Sequence, residues 1–253
     1  MNKLLTATVS WQRPALCKKM IKSFLKTKSI AILFIYICED DPYVEEYKKL
    51  IKEFPDVMFA IGPHLYIAEV SNHICKNFNS EYYQMVNDDH LFVEKGWDTE
   101  MIEALDKCGG WRIAACYMPE EMMVGDKTAL GPSEPSEHFV PINAPTAEIF
   151  SRKIINVLGF YNVPGFKQYG CDGYIMELGE DLGGIIPFCG KILHNCWHGL
   201  NRMKLDKTAR ETYFEKHIHS GNGYTFWQRI RPIMKLRFKE AKEREAMEKK
   251  NER

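Results

Sequence analysis

Residues 82–90 read Tyr-Tyr-Gln-Met-Val-Asn-Asp-Asp-His, a β-prone run that stops abruptly in four polar side chains. Three earlier β-prone runs have the same character, and each is followed by a segment whose apolar residues recur at helical spacing. These earlier runs are Leu4–Trp11, Ala31–Cys38 and Val57–Ile61. Three consecutive strand–helix units predict an α/β fold with a mostly parallel sheet, helices on its faces and right-handed crossovers.

Polar clusters follow three of these four strands. They are residues 10–13, 39–41 and 87–90. The carboxyl ends of parallel strands meet at one edge of a sheet, and ligands of such sheets bind outside that edge. We therefore expect the three clusters to converge on a single binding site.

The second half of the chain has weaker periodicity. We predict a helix around Trp97, a strand from Trp111 to Met118, helices over Thr146–Leu158 and Tyr174–Leu182, and short strands at 185–188 and 191–194. Between these elements, residues 119–145 are too long and too polar for an ordinary connection. We hypothesise that part of this segment is a mobile flap over a site.

Composition limits the classes of protein to consider. The chain has 253 residues, of which 45% are hydrophobic and 27% charged, proportions typical of one large globular domain. Its 34 basic residues balance its 34 acidic ones. A broad nucleic-acid surface needs surplus positive charge to displace counterions from phosphates, so we expect no nucleic-acid partner.

Cysteine usage and the N-terminal residues indicate a location. The chain has eight cysteines but no C-x-x-C pair, and its first residues lack the apolar core of a secretory leader. We therefore expect reduced thiols and a cytoplasmic protein. The longest apolar run, Ala31–Cys38, is far shorter than the roughly 20 residues that span a bilayer.

The C-terminal segment is basic. Residues 228–253 hold ten Lys and Arg against five Glu, although the whole chain is neutral. A solvated helix explains most runs of this kind. The alternative is a helix that lies peripherally on a membrane surface or binds a partner.

Asp88 and Asp89 are adjacent carboxylates at the predicted end of a buried strand. Two like charges at a partly desolvated edge repel each other unless a cation lies between them. The pair is therefore a candidate site for Mn²⁺ or Mg²⁺, which take oxygen ligands. Adjacent acidic residues also cap helices and fill turns, and this explanation stays open.

Four motifs together resemble the nucleotide-sugar glycosyltransferases of the GT-A fold, family 2 and its viral and bacterial relatives. The motifs are Thr8-Val-Ser-Trp-Gln-Arg-Pro14, Cys38-Glu-Asp-Asp41, Asn72, and Tyr83-Gln-Met-Val-Asn-Asp-Asp89. The resemblance covers roughly residues 3–200 and is most specific before residue 100. It implies a GT-A-like catalytic domain over 1–205, with a nucleotide-binding half at 1–110, an acceptor half at 111–205, and a helical basic extension at 206–253.

The resemblance also implies roles for residues of the first half. The nucleotide-binding set would be Ser10, Arg13, Glu39, Asp40, Asn72, Asn87 and Asp88. Asp88 would lie near the ribose, and Asp89 would hold a metal that bridges the diphosphate. The sequence departs from the family pattern at Asn87, where the D-x-D motif begins with Asp, and at Ala68 and Glu69, where an Arg is common.

In the second half, Asp172 occupies the place of the base that deprotonates the acceptor hydroxyl in related inverting enzymes. It is equally suited to be a helix N-cap. The resemblance suggests His194 as a further metal ligand, with His198 as the alternate metal or phosphate ligand, although either can be a structural histidine. Trp97 is either a wall that stacks on a sugar or a core residue.

These observations favour a metal-dependent glycosyltransferase that transfers a hexose from a nucleotide-sugar donor to a sugar or lipid-linked acceptor, with inversion if Asp172 is the base. One alternative is a nucleotidyltransferase that makes nucleotide sugars. Such enzymes usually carry a glycine-rich phosphate loop after strand one, and Ser10–Pro14 contains no glycine. The other alternative is a fold relative that binds a glycan or a partner without turnover.

Overall fold

We describe the protein from a computed structural model, in which residues 2–117, 145–166, 171–194 and 207–252 are described. The strands are β1 (Asn2–Ser10), β2 (Ile32–Cys38), β3 (Met58–Gly62), β4 (Ser80–Met85), β5 (His90–Phe92), β6 (Ile113–Tyr117), β7 (Thr146–Ser151), β8 (Ile185–Cys189) and β9 (Ile192–His194). The helices are α1 (Pro14–Thr27), α2 (Val44–Glu53), α3 (Ile67–Asn77), α4 (Trp97–Lys107), α5 (Arg152–Leu158), α6 (Cys171–Asp181) and α7 (Lys207–Asn251). The hypothesised flap lies outside the described residues, except for residue 145.

Seven of the described strands form one sheet in the order β3-β2-β1-β4-β7-β6-β8. β1 is parallel to β2 and β4, β2 is parallel to β3, and β6 is parallel to β8. β7 is antiparallel to both of its neighbours, β4 and β6. The predicted α/β class with a mostly parallel sheet is confirmed, and the carboxyl ends of β1 to β4 share one edge.

The helix predicted over Thr146–Leu158 is wrong in its first half. Residues 146–151 form β7, and only Arg152–Leu158 is helical. β7 lies inside the sheet, so its residues from 147 to 151 are all buried, and a continuously buried run has no period that separates strand from helix. The hydroxyl of Ser151 then begins the helix by accepting a hydrogen bond from the amide of Ile154.

Helices cover both faces of the sheet, each over its own apolar cluster. The cluster beneath α1, α2 and α4 includes Met20 and Trp97. The cluster beneath α3, α5, α6 and α7 includes Ile74 and Tyr161. Burying a large apolar side chain stabilises a fold by roughly 1.5–3 kcal/mol, and the two clusters hold the sheet and its carboxyl edge in place.

A separate pair of antiparallel strands, β5 and β9, extends this edge. His90 lies opposite His194 in the pair. The pair packs on α1, where the rings of Phe92 and Phe24 are 5.1 Å apart in an edge-to-face contact. The sequence predicted no strand at β5, because three residues are too few to display a period.

The C-terminal helix, α7, packs on the rest of the molecule. Its inner side chains Trp227, Met234 and Phe238 are buried. Arg231 makes a two-pronged ion pair with Asp181 of α6, with nitrogen–oxygen distances of 2.7 and 2.9 Å. The expectation of a solvated helix is therefore wrong for this face. Among the described residues, no helix has the combination of length and apolar character that crossing a bilayer requires.

Candidate functional site

Arg13 lies between the two carboxylates that follow β4. Its Nη2 is 2.6 Å from Oδ1 of Asp88, and its Nη1 is 3.2 Å from Oδ2 of Asp89. Asp88 is 0% exposed and Asp89 is 6% exposed, so their charges need a positive neighbour. A guanidinium thus lies between the two carboxylates, and the metal ion predicted at this pair stays a prediction.

A chain of hydroxyl groups orients Asp88. The Ser10 hydroxyl lies 2.7 Å from Oδ2 of Asp88 and 2.7 Å from the Tyr47 hydroxyl. The backbone N–H of Arg13 donates to the Tyr47 oxygen at 3.0 Å. Burial raises the pKa of Tyr47, so its phenol stays protonated. Tyr47 therefore donates to Ser10, and Ser10 donates to the carboxylate.

Asp41 shapes the turn that presents Arg13. Its Oδ2 accepts a hydrogen bond from the amide of Gln12 at 2.6 Å, and its Oδ1 accepts one from the amide of Tyr43 at 2.7 Å. Gln12 has a φ of 58°, a left-handed conformation that a non-glycine residue adopts only when its surroundings hold it there. The acidic residues after β2 therefore have two different environments. Asp41 is buried and holds the turn, whereas Glu39 and Asp40 are exposed to solvent.

An aromatic group lines the neighbouring part of the edge. The Nδ1 atom of His64 is 3.1 Å from Oδ2 of Asp40. The His64 ring makes edge-to-face contacts with Trp11 and Tyr66, at centroid distances of 4.6 and 5.3 Å. Sequence reasoning missed His64, although its position directly after β3 places it at the same edge as the predicted residues.

His90 fixes the turn that carries the carboxylate pair. Its Nδ1 accepts a hydrogen bond from the amide of Asn87 at 2.7 Å, so the ring proton is on Nε2. Nε2 lies 2.7 Å from Oγ1 of Thr146 on β7. His90 is buried, and its ring ties the end of β4 to the neighbouring strand.

Two predicted site residues, Asn72 and Trp97, make hydrogen bonds within the fold. The Oδ1 of Asn72 accepts hydrogen bonds from the amides of Tyr161 and Asn162 at 2.8 and 3.0 Å, and its Nδ2 donates to the carbonyl of Asn162. Asn72 is half-buried, and the nucleotide contact at this residue stays a prediction. Trp97 is fully buried and donates from Nε1 to Thr27, which agrees with the core alternative for this residue and not with the sugar wall.

Three other predicted residues, Asp172, His194 and His198, lie at the limits of the described part of the structure. Asp172 is the second residue of α6, and His194 ends β9 opposite His90. His194 is thereby brought close in the backbone to the turn that carries Asp89. The side chains of Asp172 and His194, and all of His198, lie outside the described part of the structure.

No protein-family model and no curated protein matches this sequence. Several solved structures share its fold. A mannosyltransferase from Pyrobaculum calidifontis, PcManGT, in complex with GDP-Man and Mn²⁺, is 10% identical with a TM-score of 0.55, and the match covers 97% of this chain and 75% of that one.

Two further matches are a structure of TarS and a structure of a diphosphocytidyl synthase. S. aureus TarS 1–349 in complex with UDP-GlcNAc is 8% identical with a TM-score of 0.52, and the match covers 75% of this chain. The present chain spans only 56% of that TarS structure. A 4-diphosphocytidyl-2C-methyl-D-erythritol synthase from Anaerococcus prevotii is 13% identical with a TM-score of 0.53, with 79% of this chain and 94% of that chain covered. At these identities the likenesses show the fold alone, and the predicted GT-A-like fold is confirmed.

Proposed function

We propose that the protein is a glycosyltransferase that binds a nucleoside-diphosphate sugar at the carboxyl edge of β1 to β4. One observation carries the proposal: this edge joins a buried charged group to a partly exposed aromatic one. The charged group is Asp88 and Asp89 with Arg13, and the aromatic group surrounds His64 and includes Trp11. The diphosphate of a nucleotide sugar would bind at the charged group through a metal ion, and the nucleobase would bind at the aromatic group beside it.

The aromatic group would receive the base. Trp11, His64 and Tyr66 offer ring surface, and stacking of a base on an aromatic side chain contributes roughly 1–3 kcal/mol. Glu39 and Asp40 are exposed beside these rings and can accept hydrogen bonds from the base or from ribose hydroxyls. These assignments keep the predicted nucleoside-binding roles of the two acidic residues.

Asp89 would hold a Mn²⁺ or Mg²⁺ ion, with His194 or its alternate His198 as a further ligand. The donor chemistry fits, because carboxylate oxygens suit both ions. One guanidinium leaves the two ionised carboxylates with one net negative charge, which attracts a divalent cation. When bound, such a cation would stabilise the charge that develops on the departing nucleoside diphosphate.

Asp172 would act as the general base. The acceptor hydroxyl oxygen forms a bond to the anomeric carbon while the bond from that carbon to the diphosphate oxygen breaks, and the hydroxyl proton passes to the Asp172 carboxylate. Attack from the face opposite the leaving group inverts the anomeric configuration. The acceptor would be a sugar or a lipid-linked sugar.

The outer face of α7 supports a lipid-linked acceptor. Phe226, Ile233 and Leu236 are 41%, 53% and 56% exposed. At helical spacing they share one side of α7 with the exposed Arg229 and Arg237, opposite the buried Trp227 side. Apolar side chains flanked by arginines are typical of helices that lie on anionic membranes, and we propose peripheral contact of this kind.

Calorimetry with UDP, GDP and CDP, each with and without Mn²⁺, tests the donor site. We expect one nucleotide to bind in a metal-dependent way, and we expect Asp89→Asn to abolish that binding. Asp56→Asn is the matched control, because Asp56 is an exposed carboxylate on the connection between α2 and β3. Undiminished binding by the Asp89→Asn variant would remove the metal assignment.

A nucleotidyltransferase is the second candidate, because the match with the diphosphocytidyl synthase covers 94% of that chain. Release of pyrophosphate from a nucleoside triphosphate and a sugar phosphate would favour it. Release of a nucleoside diphosphate from a nucleotide sugar would favour the glycosyltransferase. Binding of glycans with neither reaction would identify a relative without catalytic activity.

A further inference from the structure

A second group of metal-ligating side chains lies at the ends of β2 and β3. Three side chains, those of Cys38, Asp40 and His64, each offer one possible ligand atom here. These three atoms all lie within 4.8 Å of one another. The Nδ1 of His64 is 3.2 and 3.1 Å from the two carboxylate oxygens of Asp40. Ligand atoms around a tetrahedral zinc ion are about 3.3–3.8 Å apart, as follows from bond lengths of about 2.0–2.3 Å. Small side-chain movements would therefore let the three atoms share one ion.

The backbone that carries these side chains is held in place. Cys38 lies opposite Gly62 in the β2–β3 ladder, and the amide of Glu39 donates to the Gly62 carbonyl at 2.7 Å. The Tyr36 hydroxyl donates to the Pro63 carbonyl at 2.7 Å. A Cβ at Gly62 would lie 2.6 Å from the Tyr36 hydroxyl oxygen, so a larger residue at this position would displace that hydroxyl. The spacing of the three ligands is thus set by the sheet.

The side chains are also restrained. The ring of His64 contacts Trp11 and Tyr66, which limits its rotation. Cys38 is buried, and its Sγ lies 3.8 Å from the Leu65 carbonyl oxygen as a weak donor. Burial raises the pKa of Cys38, so its thiol stays protonated without a metal.

We propose that Cys38, Asp40 and His64 form a zinc-binding site whose fourth position is open to solvent. One thiolate, one carboxylate and one imidazole are typical zinc ligands and differ from the hard oxygen donors of Asp88 and Asp89. On binding, the sulfur–hydrogen bond breaks, its proton passes to solvent, and sulfur, carboxylate oxygen and Nδ1 each donate an electron pair to the ion.

This site has a consequence for the nucleotide, which rests on the proposed function. Asp40 is a proposed nucleoside contact and would also be a zinc ligand. A carboxylate that gives an electron pair to zinc has fewer free lone pairs and less negative charge, so it is a weaker acceptor for a base or ribose. Zinc at this site is therefore expected to weaken nucleotide binding at the same edge.

The direct test uses the full chain without a histidine tag and Co²⁺ as the spectroscopic probe. We expect a thiolate-to-cobalt charge-transfer band that Zn²⁺ displaces. Cys38→Ser should remove the band, and His64→Ala should lower cobalt and zinc affinity by more than about tenfold. Cys189→Ser and His73→Ala are the controls, because both residues are exposed and lie outside the cluster.

A band that persists in Cys38→Ser, or zinc affinity unchanged in His64→Ala, would overturn the site. His64 is exposed, so we expect its variant to fold even if the buried cysteine variant does not. Nucleotide affinity measured with and without Zn²⁺ then tests the consequence: it should fall in the natural protein and stay constant in Cys38→Ser. Because cobalt is observed directly, absence of nucleotide binding would contradict the proposed function and leave the metal test intact.

Discussion

The guanidinium of Arg13 lies 2.6 Å from Oδ1 of Asp88, and this ion pair joins the turn after β1 to the end of β4. Asp88 is fully buried and also accepts a hydrogen bond from Ser10. A buried carboxylate stays ionised only when partners replace the water it has lost. Arg13 therefore neutralises part of the negative charge of Asp88 and Asp89 at the candidate site.

We predict that Arg13→Ala destabilises the protein by about 3–5 kcal/mol, because it leaves buried carboxylates without their counter-charge. Urea unfolding near neutral pH measures the effect. Lys18→Ala is the control: Lys18 pairs with Glu53 at 2.6 Å, but both side chains are about 40% exposed, so its loss should cost less than about 1 kcal/mol. Equal losses in the two variants would show that the Arg13 pair contributes no more than a surface pair.

The strands of the first half were predictable because short apolar runs alternate with helical spacing there, and the polar clusters at their ends do meet at one edge. Arg13 was predicted at this edge, but its pairing with Asp88 was not, because a contact between residues 75 apart leaves no local pattern. Asn72 was predicted from a motif of the family that the sequence resembles. Trp97 was predicted from its residue type, because an aromatic ring can stack on a sugar. Their partners, Asn162 and Thr27, are fixed only by tertiary packing.

His90→Ala should weaken metal-dependent nucleotide binding. Without the imidazole, the amide of Asn87 loses its acceptor and the turn that carries Asp89 loses its tie to Thr146. We expect a loss of roughly 1–3 kcal/mol in stability as well, since a partly buried donor is left without its acceptor. His90→Asn places an amide oxygen near the Nδ1 position and should recover part of the binding. If the alanine variant bound nucleotide as tightly as the natural protein, His90 would not contribute to the site.

The pH dependence of stability should report the docking of α7. Burial acts to raise the pKa of Glu245, but hydrogen bonds from Lys153, Lys249 and Trp111 outweigh it and lower the pKa from 4.5 to about 2. The folded-state value lies below the unfolded one, so the stabilisation is fully present above pH 4.5 and is lost as the pH falls towards 2.

Urea unfolding between about pH 5 and pH 2 measures this loss, which we expect to be roughly 1–3 kcal/mol. Glu245→Gln should remove that part of the pH dependence and lower stability at neutral pH. Glu240→Gln, at an exposed position on the same helix, should leave the profile unchanged. An identical acid profile in the Glu245 variant would show that this carboxylate does not contribute.

Vesicle binding tests the outer face of α7. We expect the protein to sediment with vesicles that contain phosphatidylserine and not with neutral vesicles, because arginines on this face attract anionic headgroups. Replacing Phe226, Ile233 and Leu236 together by Ser should lower binding by about tenfold or more, since the apolar anchors are removed. Ile30→Ser, at a 58% exposed residue between α1 and β2, should have no effect. Salt weakens contact between exposed charges, so vesicle binding that is insensitive to both salt and the triple substitution would show that this face does not carry the membrane contact.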